Sequence, residues 1–154
     1  MIAVIQRVKE TELTANGLPH SRISRGFFVL LGVLAGDDST DAKLLADKIA
    51  KLRVFSDENG KMNLSLSDVG GEVMVVSNFT LAANYRHGNR PDFLRAAPPQ
   101  EADRLYQCFI TDLDSAHVPT VSGIFGADMQ IRTTADGPVT IVMDSAVLRK
   151  EPKS

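Results

Sequence analysis

The side chains best suited to nucleophilic or metal chemistry in this 154-residue chain are three histidines, His20, His87 and His117, and one cysteine, Cys108. They stand far apart in sequence, with no H-E-x-x-H or C-x-x-C spacing, so no metal ligands and no metal centre are expected. A G-x-S-x-G elbow, a G-x-x-x-x-G-K-[ST] phosphate loop and a G-x-G-x-x-G fingerprint are also missing, which withdraws support from serine hydrolases of that type, nucleoside triphosphatases and dinucleotide enzymes. Cys108, next to Phe109 in a helical pattern, reads as a small buried hydrophobe. Chemistry must come from less reactive groups.

Two segments qualify. In Val75-Val76-Ser77-Asn78-Phe79-Thr80-Leu81 an apolar strand ends in small polar residues, the way a sheet presents hydroxyls and amide donors at its edge. The plainer reading is a strand end satisfying its own backbone. In Ala135-Asp136-Gly137-Pro138, Asp-Gly is an ordinary hairpin signal, and X-Pro bonds in folded proteins are cis in only about 5–6% of cases, so a plain trans turn is expected. The most basic stretch is Tyr85-Arg86-His87-Gly88-Asn89-Arg90, with Arg95 behind it. A short basic loop is ordinarily solvated surface, and a formal charge of -2 gives the whole protein no field that attracts nucleic acid.

The elements that must position these residues follow from hydropathy and turn chemistry. Ile2 to Val8 alternates as a core strand buried on both sides, and Ala15-Asn16-Gly17 joins Glu12–Thr14 to Ser21–Ser24 in a hairpin. Gly26 to Leu34 is a central strand. Ser39 caps a helix carrying Leu45, Ile49 and Leu52 on one face. Val54-Phe55 and Met62–Leu66 flank the Asp57-Glu58-Asn59-Gly60 turn, and Glu72 to Thr80 forms another strand. A second helix starts at Pro98-Pro99, repeats Leu105, Phe109 and Leu113, and stops at Pro119. Met129–Thr133 and Val139–Met143 make a last strand pair around residues 134–138, and the chain after Ser145 is a loose tail. The expected fold is α+β, a mostly antiparallel or mixed sheet with two main helices packed on it. One domain spans residues 1–145, with a tail at 146–154, and the 44% hydrophobic content suits a core that needs no disulfide. The start reads as no signal peptide, and no apolar run reaches the ~18 residues of a spanning helix, so a cytoplasmic protein is expected.

These residues carry a resemblance. Ile5-Gln6-Arg7-Val8, Leu30-Leu31-Gly32-Val33, the run Phe55 to Ser65, Asp68 to Glu72, Ser77 to Leu81, Arg90-Pro91, Ala97-Pro98-Pro99, Phe125 to Met129 and Asp136 to Thr140 are similar, in order, to the D-aminoacyl-tRNA deacylases, also called D-tyrosyl-tRNA deacylases. Only residues 146–154 fall outside the resemblance.

It implies that family's barrel-like fold and a homodimer with active sites at the subunit interface. It also implies hydrolysis of the ester joining a D-amino acid, or glycine, to the tRNA 3′ end, with no cofactor. Ser77, Asn78, Phe79 and Thr80 take the catalytic strand-end positions; Gly137, Pro138, Met129 and Ala135 take those of substrate binding and chiral selection, with the Gly-Pro bond cis; Arg7, Arg86 and Arg90 take those of tRNA contact. The chain departs from the pattern at Asn78, where the family has Gln, and at Ala135, where it has Asn, and its Tyr85-Arg86-His87-Gly88 replaces a different basic stretch. A shorter side chain at 78 falls short of the substrate or needs a water, while backbone donors survive the change. The alternatives are a deacylase with relaxed chirality, acting on glycyl- or small L-aminoacyl-tRNA, and a silent dimer that binds the tRNA acceptor end.

Overall fold

The computed structural model describes residues 1–150. Its organising element is the 14-residue strand β1, Ile2–Ala15, long enough to serve two sets of neighbours. The N-terminal half of β1 pairs antiparallel with β3, Gly26–Gly32, and its C-terminal half pairs with β2, Leu18–Ile23, across the Asn16-Gly17 turn, where both residues have positive φ. Strand β6, Glu72–Ser77, lies parallel to β3 and to β7, Thr120–Ser122, as strands joined by helical crossovers do. The sheet order is β2-β1-β3-β6-β7, and the Ser21 hydroxyl donates to the Ser122 carbonyl at 3.1 Å, so the sheet curls until β2 meets β7. The outcome is α+β with a nearly closed, barrel-like sheet.

The curl divides the core in two. Val8, Leu13, Ile23, Phe28, Met74 and Val76 fill the concave side. On the other side Ile5, Phe27, Val29 and Val75 meet the apolar stripes of α1, Ser39–Ala50, and α3, Pro99–Ser115. The α1 stripe is Leu45 and Ile49, and that of α3 is Leu105, Phe109 and Leu113, all fully buried. The cap of α1 is Asp38, not the expected Ser39: its carboxylate accepts from the Thr40 amide while Asp41 accepts from the Asp38 amide. Helix α3 ends at Ala116 and His117, the latter at φ +61, before Pro119 is reached. A small hairpin, β4 (Phe55–Ser56) with β5 (Met62–Leu64), and the short helix α2, Leu66–Val69, complete the crossover from β3 to β6.

Several expectations are corrected, the plain trans turn at Gly137-Pro138 among them. Residues 129–133 and 139–143 do not pair with each other. They belong to one strand, β8, Met129–Asp144, whose two halves both pair with β1. A partner as long as β1 offers both halves backbone groups that a hairpin would leave open to solvent on one side. The register slips between Gln6 and Val8, which face Thr140 and Ala135, so the four residues 136–139 bulge out opposite Arg7. Gly137-Pro138, in that bulge, is cis. The strand expected over 72–80 also stops early, at Ser77, and in Ile2–Val8, expected to be buried on both sides, Ala3, Ile5 and Val8 are buried while Ile2, Val4, Gln6 and Arg7 are half-buried.

The chain beyond 145 is not loose where it is described. Helix α4, Ser145–Leu148, docks on α1; residues 151–154 of the expected tail lie outside the described part. Arg149 donates to Asp41 through Nε at 2.9 Å and Nη2 at 2.7 Å, and the Ser145 hydroxyl donates to Asp41 at 2.7 Å. The Arg149 guanidinium outweighs the burial of Asp41 and holds its carboxyl well below the usual carboxylate range. A folded-state pKa below the unfolded value of about 3.9 stabilises the protein above that pH and loses its contribution as pH falls below it. Asp41→Asn is therefore expected to cost about 2 kcal/mol at pH 7, discounted because Arg149 is partly exposed, and less at pH 3. Denaturant titration of both proteins at the two pH values checks it.

Candidate active site

Strand β6 runs between two parallel neighbours, so its C-terminal end opens where α/β sheets leave room for ligands. Beyond Ser77 the chain turns into one 3₁₀ turn, Phe79–Ala82. Gly32 makes that turn possible: a Cβ there would lie 2.9 Å from Leu81 Cβ and 3.2 Å from the Asn78 carbonyl oxygen, so only glycine lets the backbone come so close.

The hydrogen bonds of the turn single out one amide. The Asn78 N–H donates to the Leu31 carbonyl at 2.8 Å, and the Thr80 N–H donates to Asn78 Oδ1 at 3.2 Å. The Thr80 hydroxyl also donates to Asn78 Oδ1. The Phe79 N–H, first in the turn, has no acceptor among the described residues. Asn78 thus caps its own turn, and its shorter side chain folds back on Thr80. Of the backbone N–H groups of Asn78 and Phe79, only that of Phe79 is without an acceptor among the described residues.

Ser77, Asn78 and Phe79 line a cleft of about 750 Å³, within the range of small-molecule sites. Its walls are Val33, Phe93, Leu94, the Ala96–Pro99 segment and Ala102 on one side, and Phe125, Gly126, Ala127 and Met129 on the other. Phe79 and Phe93 meet edge to face, with centroids 5.0 Å apart. Under Phe125 lies Tyr106, fully buried, whose hydroxyl donates to the Val75 carbonyl at 2.9 Å; burial pushes its pKa up. None of the lining side chains ionises. The cleft therefore offers a polar edge of backbone and small polar side chains against an apolar wall. That arrangement can hold a planar ring and place a carbonyl oxygen on the Phe79 amide. A hollow of about 800 Å³ between the outer faces of α1 and α3, lined by Lys43, Arg104, the half-buried Cys108 and Asp112, lies away from the strand ends.

The expected residues separate into three places. Ser77, Asn78, Phe79 and Met129 come together in the cleft, with Thr80 bonded to Asn78 beside it. Gly137 and Pro138 on the bulge, and Ala135 paired with Val8 just before it, are exposed and line no part of their own cleft. Arg7, expected at the tRNA surface, sits beneath the bulge: Nε donates to the Asp136 carbonyl at 3.0 Å and lies 3.2 Å from its carboxylate, and Nη1 donates to the Val54 carbonyl at 2.6 Å. Its side chain is 12% exposed, which makes it a brace and not a surface cation. Arg86 and Arg90 are exposed on the loop leading from the 3₁₀ turn. Sequence reasoning missed Phe93 and Leu94; an apolar pair inside a polar loop was the available signal.

The sequence model of the D-Tyr-tRNA(Tyr) deacylase family matches residues 4–144. A D-aminoacyl-tRNA deacylase of Roseiflexus castenholzii is 49% identical over 154 residues, covering 100% of this chain and 98% of the relative. One from Lacticaseibacillus casei is 52% identical over 145 residues, 94% of this chain and 98% of the relative. Among solved structures, the c-Myc DNA Unwinding Element Binding Protein superposes with a TM-score of 0.88 at 40% identity, covering 94% of this chain and 98% of that one.

Proposed function

The chain belongs to the D-Tyr-tRNA(Tyr) deacylase family, and from that premise we propose that it is a D-aminoacyl-tRNA deacylase whose chemistry rests on the backbone of the Ser77–Thr80 turn. The observation that carries this reading is the Phe79 amide, unpartnered among the described residues, at the edge of a cleft without an ionisable side chain. An aminoacyl ester is already activated, so hydrolysis requires a held water and a donor where the carbonyl oxygen becomes an oxyanion. Water adds to the ester carbonyl carbon, and the developing oxyanion accepts from the Phe79 N–H. The carbon–oxygen bond to the ribose then breaks. The proton lost by the water ends on the departing ribose oxygen, with the neighbouring 2′-hydroxyl as its relay. The Thr80 hydroxyl spends its proton on Asn78 and keeps its lone pairs for a water or the substrate amine. The apolar walls, with Phe79 and Met129, receive the terminal base.

Chiral choice belongs to the bulge. Ala135, Gly137 and Pro138 stand clear of their own cleft, and in this reading they reach the cleft of a second copy, where their carbonyls occupy the space an L side chain needs. The working unit is then a homodimer, acting in the cytoplasm where charged tRNA is made and used. Arg86 and Arg90 supply tRNA contacts.

The test is hydrolysis of D-tyrosyl-tRNA and L-tyrosyl-tRNA side by side, with a chelator present. Loss of the D ester alone is the expected result. Equal loss of both would favour the reading with relaxed chirality, and tRNA binding without loss of either would favour the silent dimer.

A further inference from the structure

The loop between the 3₁₀ turn and Phe93 carries an aromatic ring, Tyr85, and two arginines, Arg86 and Arg90, that the cleft does not use, and Arg95 follows just beyond Phe93. It is pinned at its base by Asn84 and Asp92, whose backbones exchange hydrogen bonds of 2.8 and 2.9 Å and whose side chains meet at 3.1 Å. Both stems lead into the cleft, through Phe79 on one side and Phe93 and Leu94 on the other. Tyr85 is 82% exposed just outside the pin, and residues 86–91 are exposed after it. The exposed arginines 22, 104 and 149 elsewhere each sit on a carboxylate within 3.1 Å. Arg86, Arg90 and Arg95 have no carboxylate partner among the described residues, and Asp92, the nearest acid in sequence, is spent on Asn84 and the Leu94 amide. Arg25, Arg53 and Arg132 are likewise exposed without a carboxylate partner among the described residues, so what sets this loop apart is the combination of unpaired arginines and an exposed ring beside the mouth of the cleft, in a chain of net charge -2.

We propose that Tyr85, with Arg86 and Arg90, forms a stacking and phosphate-binding platform for the unpaired nucleotides that precede the terminal nucleotide of the substrate tRNA. The proposal rests on the deacylase reading for its substrate but not for its chemistry. The terminal nucleoside fills the cleft, so the chain of nucleotides behind it must leave over the lip, and the loop is built from that lip. An exposed tyrosine offers a face to any base, and guanidinium groups take the phosphates between bases. The chemistry fits a single strand: it recognises stacked faces and charge, and asks for no base sequence.

The experiment compares full D-tyrosyl-tRNA with the D-tyrosyl ester of adenosine, which fills the cleft but cannot reach the loop. Tyr85→Ala is expected to raise KM for the tRNA about tenfold, with kcat unchanged and the small ester hydrolysed as before, while Tyr85→Phe keeps the tRNA KM. Arg86→Ala with Arg90→Ala is expected to flatten the dependence of log affinity on log salt by about 1.4, or about 0.7 for each phosphate that is no longer neutralised. Affinity for a short uncharged RNA with the tRNA 3′ tail gives a readout independent of activity, and it should weaken about tenfold in Tyr85→Ala. Equal losses on the two esters, or unchanged RNA affinity, would overturn the platform. If the unaltered protein hydrolyses neither ester while Tyr85→Ala still weakens RNA binding, the deacylase reading fails and the platform stands.

Discussion

Phe79→Pro is expected to lower kcat for D-tyrosyl-tRNA by about two to three orders of magnitude, the loss that follows removal of one oxyanion donor. Proline removes the N–H and little else from the backbone. Position 79 is the first residue of its 3₁₀ turn, where no intrahelical bond is lost, and Asn78 before it is extended at φ -143 and ψ 93, clear of the helical region that a following proline disfavours. The fold should therefore survive, and an unchanged circular dichroism spectrum would establish that it does. The ring of Phe79 leaves as well, so Phe79→Leu is the control: it keeps the N–H, gives up the edge-to-face packing on Phe93, and should raise KM more than it lowers kcat. Equal kcat in the two variants would remove the Phe79 amide from the mechanism.

That donor marks the limit of what the sequence discloses. The end of strand β6 is legible in Val75-Val76-Ser77, and so is a cluster of small polar groups after it, because hydropathy changes there. Which amide stays free is not legible, since it depends on the Leu31 carbonyl taking the Asn78 N–H and on the Asn78 side chain taking that of Thr80. The helices were readable for a similar reason: Leu45 and Ile49, like Leu105, Phe109 and Leu113, repeat at helical spacing and reach the sheet. The error over β8 arose because Asp-Gly signals a turn from local chemistry alone, whereas the 14 residues of β1 supply a long-range partner to both flanking segments. Asp136-Gly137 does let the backbone depart from the ladder, but as a bulge within one strand. Asp38 and Arg149, 111 residues apart, could not have been paired by any local pattern.

Arg7 and Asp136 are 129 residues apart, and the bulge they share sets the second large effect. Residues 136–139 have no partner residues of their own on β1, so their position depends on what lies beneath them. The Arg7 guanidinium holds the Asp136 carbonyl and carboxylate on one side and the Val54 carbonyl on the other, tying the bulge to the start of the β4–β5 hairpin. The chain lacks an amide side chain at position 135, where Ala135 is exposed and braces nothing, so this fork is the support on which Gly137 and Pro138 rest. Lysine carries the charge but cannot donate in two directions from a planar group. Arg7→Lys is accordingly expected to reduce the ratio of D- to L-tyrosyl-tRNA hydrolysis by about tenfold, equivalent to about 1.4 kcal/mol, while the rate on the D ester changes much less. The asymmetry follows from the exclusion proposed above: if the bulge is what blocks an L side chain, a bulge that moves lets that side chain in while the Phe79 amide stays where it was. Side-by-side rates on the two esters measure it. A variant that loses both rates in proportion would mean that Arg7 supports the cleft itself, and a ratio that does not move would place chiral choice somewhere other than the bulge.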